Sequence, residues 1–194
     1  NVRARIQLDK KNWDAAMADH DRGAPEAEDM LRIGQLLVFQ GNTARAESLY
    51  RAIVATDPPS ANARIALGEH QKLRFRQKDF PAAIEILRRR IALDPNNDEA
   101  YYYIGLSLKE MKTYDQSLVA LRQAAALADG KVDRHFWLGV LYAQLDSVDS
   151  ARRELGRVVE MDSAGTSKNT GVALRQLGFY RLIEKDHAEA IRLL

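Results

Sequence analysis

Cysteine is absent from the 194 residues. That excludes disulfide frameworks, thiolate zinc sites, iron–sulfur clusters and thiol nucleophiles. It leaves the compartment open, because exported proteins can also lack disulfides. With 5 Pro and 11 Gly, the chain is too poor in both for collagen-like or linker-rich sequence. A charge excess is missing as well. The 29 Lys+Arg and 27 Asp+Glu leave a net charge of +2, too balanced to draw the whole molecule to nucleic acid or an anionic membrane. No apolar run approaches the roughly 18–20 residues of a membrane helix; Val119-Ala120-Leu121 already ends at Arg122. No signal-peptide pattern is visible, but the chain opens at Asn1 without an initiator Met, which leaves an upstream segment open. Sustained apolar–polar alternation is also missing, so no sheet is expected.

What is present is a 46% hydrophobic content, enough for a sizeable core, set at helical period and repeated along the chain. One repeated feature is a glycine after a branched apolar residue: Ile33-Gly34, Leu67-Gly68, Ile104-Gly105, Leu138-Gly139 and Leu177-Gly178. The glycines recur at intervals of 34, 37, 34 and 39 residues, and Ala4 holds the matching place at the start. Glycine inside a helix costs about 1 kcal/mol against alanine, so five in register predict close approach of a neighbouring helix. A second column of small residues reads Ala16, Ala46, Ala83, Ser117, Ala151 and Ala190. A third, four residues on, reads His20, Tyr50, Leu87, Leu121, Leu155 and Leu194. From Gly68 the offset to the second column is three residues longer than elsewhere, which predicts an insertion within Gln71–Lys78.

Each unit is therefore expected to hold two helices of about 14 residues around a tight turn. Gly41 suits a left-handed helix end. Asn42, Asp79, Thr113, Ser147 and Asp186 are placed to cap the second helices. Asp57-Pro58-Pro59-Ser60 and Asp94-Pro95-Asn96-Asn97 stop them.

These columns resemble the tetratricopeptide repeat, a 34-residue helix–turn–helix unit. Asp98–Lys131 matches best, with Tyr101, Gly105, Tyr114, Ser117 and Leu121 at the family's positions. The next unit matches with Leu138-Gly139, Tyr142, Ala151 and Leu155, and Ala27–Ser60 with Ile33-Gly34, Gly41, Ala46, Tyr50 and Pro58. There are departures. Met30, His135 and Leu174 replace an aromatic. Prolines are missing at Asp129 and Ser163, and Gly23-Ala24-Pro25 ends the first unit early. Ser163–Thr170 is too long and is expected to form a looser loop. The resemblance implies an all-α, right-handed solenoid superhelix over 1–194. Its repeats are 1–26 (partial), 27–60, 61–97, 98–131, 132–170 and 171–194 (partial). Both ends fall mid-repeat, so the segment is expected to be part of a longer array or protein.

Catalytic chemistry finds little support. His20, His70, His135 and His187 form no i,i+4 pair and read as packing or surface residues rather than metal ligands. Gly165–Gly171 lacks the order of a phosphate loop, and no G-x-S-x-G elbow occurs. No enzyme activity, cofactor or metal is expected. Lys72–Arg90 carries seven cations against Asp79 and Glu85. It reads as a solvated face, and nucleic acid is disfavoured as a partner.

The resemblance implies that the first helix of each unit lines a concave groove. On that face lie Glu99, Tyr102, Tyr103, Leu106 and Glu110, then Asp133, Phe136, Trp137, Val140 and Gln144, then Val172, Arg175, Gln176, Phe179 and Ile183. The family's carboxylate clamp does not fit Leu31, Gln35, Ala66, Glu99 and Tyr103, and the asparagine ladder of some relatives is absent. The expectation is a non-catalytic scaffold that binds a protein or peptide in an aromatic groove. Tyr102, Phe136, Trp137 and Phe179 would be anchors, Tyr103, Leu106 and Val140 the surrounding wall, and Arg175 the group orienting an acid. Self-association through the same rings and a role as an accessory or assembly domain of a larger enzyme or multidomain protein are the alternatives. The composition reads as that of a soluble bacterial protein, with cytoplasm and periplasm not separated.

Overall fold

The computed structural model describes residues 27–56 and 58–193, which form ten α-helices and no strand. The expectations for Ala4, Ala16, His20, Gly23–Pro25, Asp57 and Leu194, and for the partial repeat 1–26, lie outside the described residues. The chain divides into two compact units, meeting at Pro95 and Asn96. Unit 1 contains α1 (Ala27–Phe39), α2 (Thr43–Thr56), α3 (Ala61–Arg76) and α4 (Phe80–Leu93). Unit 2 contains α5 (Asp98–Glu110), α6 (Tyr114–Leu127), α7 (Val132–Gln144), α8 (Val148–Met161), α9 (Lys168–Ile183) and α10 (His187–Leu193). Successive helices pair as antiparallel hairpins, and within each unit neighbouring hairpins stack.

The glycine column does what its spacing predicts in three hairpins. A methyl group added to Gly34 would lie 2.5 Å from Tyr50, at Gly105 it would lie 2.6 Å from Leu121, and at Gly139 2.8 Å from Leu155. Each contact spans 16 residues, so the bulky third column presses onto bare backbone across the hairpin. Ser117 adds a buried bond, its hydroxyl donating to the Gly105 carbonyl at 2.7 Å. Tyr50, Leu121 and Leu155 are fully buried, and each such side chain removed from water contributes roughly 1.5–3 kcal/mol.

Gly68 breaks the pattern: nothing lies within 4 Å of its added methyl. The reason is register. Helix α3 has 16 residues against 13 in α5, and its extra turn lies on the N-terminal side of Gln71, not within Gln71–Lys78 as the sequence spacing suggested. Gln71, 16 residues before Leu87, thereby takes the place that glycine holds elsewhere, and it is fully buried. The same happens at α9. Three residues of the expected loop, Lys168-Asn169-Thr170, extend that helix at its N-terminus. The remaining turn is not loose. The Asp162 carboxylate accepts bonds from the Thr166 and Ser167 amides and from the Thr166 and Thr170 hydroxyls. The Thr170 hydroxyl bond leads in holding that carboxyl down to about 2.

All five hairpin turns close alike. Gly41, Lys78, Lys112, Asp146 and Lys185 have φ of 83°, 59°, 61°, 54° and 63°. The following amide bonds back five residues, as in Asp79 N–H to the Arg74 carbonyl. This is the left-handed helix end that Gly41 foreshadowed, adopted by three lysines and an aspartate without glycine's ease. Asp79 and Asp186 cap the helices that follow, through the Ala82 and Glu189 amides. Thr113 and Ser147 do not. The Thr113 hydroxyl donates back to the Leu108 carbonyl, and Ser147 turns toward Leu145.

Candidate functional site

The solvent side of every first helix is an i, i+4, i+7, i+11 stripe, one face of the 3.6-residue period. In unit 2, α7 touches both α5 and α9. Their stripes read Glu99, Tyr103, Leu106 and Glu110; Asp133, Trp137, Val140 and Gln144; and Val172, Gln176, Phe179 and Ile183. All twelve are half-buried or exposed. Tyr103, Leu106, Trp137 and Val140 are half-buried hydrophobics resting on the core of this unit, while Phe179 is 54% exposed.

Tyr102 and Phe136 are corrected from anchors to core. Both are buried, because their position turns about 100° off the stripe toward the neighbouring first helix. The Arg134 guanidinium lies 4.0 Å from the Tyr102 ring centroid. It donates to Asp98 at 2.6 and 2.9 Å and to Asp133 at 2.7 Å. Burial pushes the Tyr102 hydroxyl up to about 12. Burial also pushes the Asp98 carboxyl up, but hydrogen bonds from Lys131 and Arg134 outweigh it and hold the group below the usual range. The two rings still support the surface: Tyr102 meets Tyr103 edge to face at 5.3 Å, and Phe136 meets Trp137 at 5.4 Å. The Lys109 ammonium stands 5.1 Å from the Trp137 ring centroid, within cation–π range.

Arg175, at the position equivalent to Tyr102 and Phe136, is exposed and has no ion-pair partner among the described residues. A cavity of about 460 Å³ surrounds it, walled by Val172, Gln176, Phe179 and Leu182. A second cavity, of about 340 Å³, lies on the other side of Phe179, between α9 and the α7–α8 turn. Phe179 and Gln176 are common to both.

Unit 1 presents the same stripe with other chemistry. Helix α1 shows Glu28, Arg32, Gln35 and Phe39. Helix α3 shows Ile65, Glu69, Lys72 and Arg76, because the register shift buries Ala66 and brings Glu69 outward. The shift also disperses the cationic cluster. Arg74 is spent on Glu47 and Asp79, Arg90 reaches Gln71, Lys72 pairs with Glu69, and Arg88 and Arg89 lie on α4.

Sequence reading missed one constellation. The buried Glu47 carboxylate of α2 accepts from Arg51 and, across to α3, from His70 Nε2 (3.0 Å) and Arg74. His70 and Arg74 lie 23 and 27 residues from Glu47; the i,i+4 spacings Glu47–Arg51 and His70–Arg74 each lie within one helix, and no spacing signal links the two helices. Burial raises the Glu47 carboxyl, but hydrogen bonds from Arg74 and His70 hold it below the usual range. In unit 2 the buried His135 has Glu154 at 2.8 Å from Nδ1 and the Asp129 carbonyl at 2.9 Å from Nε2. His187 is exposed. Among the described residues no three His, Cys, Asp or Glu side chains are grouped to hold a metal ion. Nor is any described helix long and apolar enough to cross a membrane.

Residues 31–98 match the profile of the tetratricopeptide repeat family. A curated relative, the chloroplastic PsbB mRNA maturation factor Mbb1 of Chlamydomonas reinhardtii, is 33% identical over 101 residues. The match takes in 51% of this chain and 15% of the relative's length. Solved structures of repeat proteins share the fold. The C-terminal part of a TPR repeat-containing protein from Cytophaga hutchinsonii has a TM-score of 0.81 at 18% identity, over 98% of this chain and 78% of its own. YrrB, described as a TPR protein with an unusual peptide-binding site, has a TM-score of 0.67 at 17% identity, over 91% and 87%.

Proposed function

We propose that this chain, a helical-repeat array whose residues 31–98 match the tetratricopeptide repeat family, is a non-catalytic scaffold that grips a peptide or partner helix on the first-helix face of unit 2. One observation carries the reading. Leu106, Trp137, Val140 and Phe179 put apolar surface, in stripes at the same spacing, on three adjoining helices. Contiguous apolar surface of this kind marks interaction sites, and aromatic anchors dominate binding energy. Trp137 and Phe179 are the anchors, Tyr103, Leu106 and Val140 the wall, and Arg175 orients a carboxylate of the ligand. Tyr102 and Phe136 hold Tyr103 and Trp137 in place from below. The peptide-binding site named for YrrB supports a peptide ligand on this fold. The mRNA role named for the algal relative is not carried over, because the cations of Lys72–Arg90 are divided between ion pairs and two helices.

Selection of a random peptide library on the purified protein tests the reading. The selected peptides should lose at least about tenfold in affinity toward Trp137→Ala and Phe179→Ala, the loss typical of a truncated anchor. Peptides that bind both variants and the parent equally, with helical content unchanged, would remove the site from this face.

A further inference from the structure

The extra turn of α3 buries polar groups where other hairpins bury glycine. His70 and Gln71 are 7% and 0% exposed. On the α2 side stand Glu47 and Arg51; on α3 itself, Arg74; at the N-cap of α4, Asp79 bonded to Arg74, and on α4, Arg90 bonded to Gln71. One oxygen, Glu47 Oε1, takes the bonds of His70, Arg74 and Arg51 together. At neutrality the ring donates its one proton to that oxygen. A second ring proton would put a third cation on a carboxylate already shared by two guanidiniums, in a place with little water to screen it.

We infer that the Glu47–His70–Arg74 clasp makes the α2–α3 junction of unit 1 acid-sensitive: mild acidification loosens this junction and leaves the hairpins of unit 2 in place. Burial, the largest influence on His70, pushes it below its ordinary 6.5; the bond to Glu47 opposes this only in part, and Arg51 and Arg74 add to it. The fold thus favours the neutral ring. The stability this contributes is fully present above pH 6.5 and drains away as the pH falls from there through the lower folded value. In unit 2 the other buried histidine, His135, faces oxygen acceptors at both ring nitrogens and no guanidinium in those bonds. The consequence for the surface follows from position. Glu69 and Lys72 flank His70 on α3, so the α3 stripe shifts against α1 when the junction gives.

Amide hydrogen exchange on the whole chain at pH 7.5 and 5.5, corrected for the intrinsic rate, tests this. Protection of α2 and α3 should fall about tenfold, while α7 and α8 change less than twofold. His70→Gln, which keeps a donor toward Glu47 and cannot titrate, should flatten the pH response of α2 and α3. An unchanged α2–α3 protection, an equal loss in α7–α8, or the full loss persisting in His70→Gln would each overturn the inference. Should that variant not fold, the ring-proton titration of His70 in the parent chain decides. A midpoint clearly below 6.5 supports the clasp, and one at or above 6.5 overturns it.

Discussion

The hairpins α3–α4 and α5–α6 are the same repeat built two ways. In α5–α6, Gly105 lets Leu121 rest on the backbone, and the Ser117 hydroxyl bonds across to the Gly105 carbonyl. In α3–α4 three more residues lengthen the first helix, Gln71 replaces the glycine, and His70 and Arg74 turn toward Glu47. About one helical turn of insertion therefore exchanges a seam held by shape for one held by charge. The outward stripe changes with it, from Tyr103 and Leu106 on α5 to Glu69 and Lys72 on α3. A glycine pattern read without its partner column shows only where the helix begins, not which side it packs.

The contrast can be broken first at its charged side. Glu47→Ala leaves His70 and Arg74 facing each other without a carboxylate, and breaking a largely buried pair costs about 3 kcal/mol. Urea unfolding should show the loss, with hydrogen exchange placing it in α2–α3. Next comes the shape side. Gly105→Ala drives a methyl into Leu121 and its backbone amide; overpacking of this kind should destabilise by about 2 kcal/mol, outweighing the helix-propensity gain. Gly68→Ala should have the opposite sign. Its methyl meets nothing, so the stability should rise by up to about 1 kcal/mol. If Gly68→Ala destabilised as Gly105→Ala does, the register assigned to α3 would be wrong. The smallest effect sharpens what the hairpins share. Lys112→Gly relieves a left-handed residue and should stabilise by about 0.5–1 kcal/mol, measured as a shift in the thermal midpoint.

The architecture was legible because it is local and periodic. The 16-residue spacing of Gly34–Tyr50 and Gly105–Leu121, the Asp79 and Asp186 caps, and the Pro95 stop are all set within one hairpin. What escaped depends on distant residues. An insertion between Gly68 and Ala83 fits the sequence on either side of Gln71; the burial of Gln71 against α4 selects one. Tyr102 and Phe136 sit within a few residues of the stripe, and only the helix packed beside them decides that they are interior. Glu47 and His70 are 23 residues apart with no shared period, so no spacing rule connects them. Ser163–Thr170 reads as loose until Asp162, outside the segment, supplies its acceptors.

The contact between Gly105 and Leu121 also has a meaning in time. It closes a loop of 16 residues, and loops near that size close on the order of 100 ns. The same short closure recurs at Gly34 and at Gly139, so each hairpin can find its partner helix before any other hairpin has formed. Unit 2 then has no obligatory starting point: α5–α6 or α7–α8 can nucleate and recruit its neighbour, with contacts short enough in sequence to make folding fast.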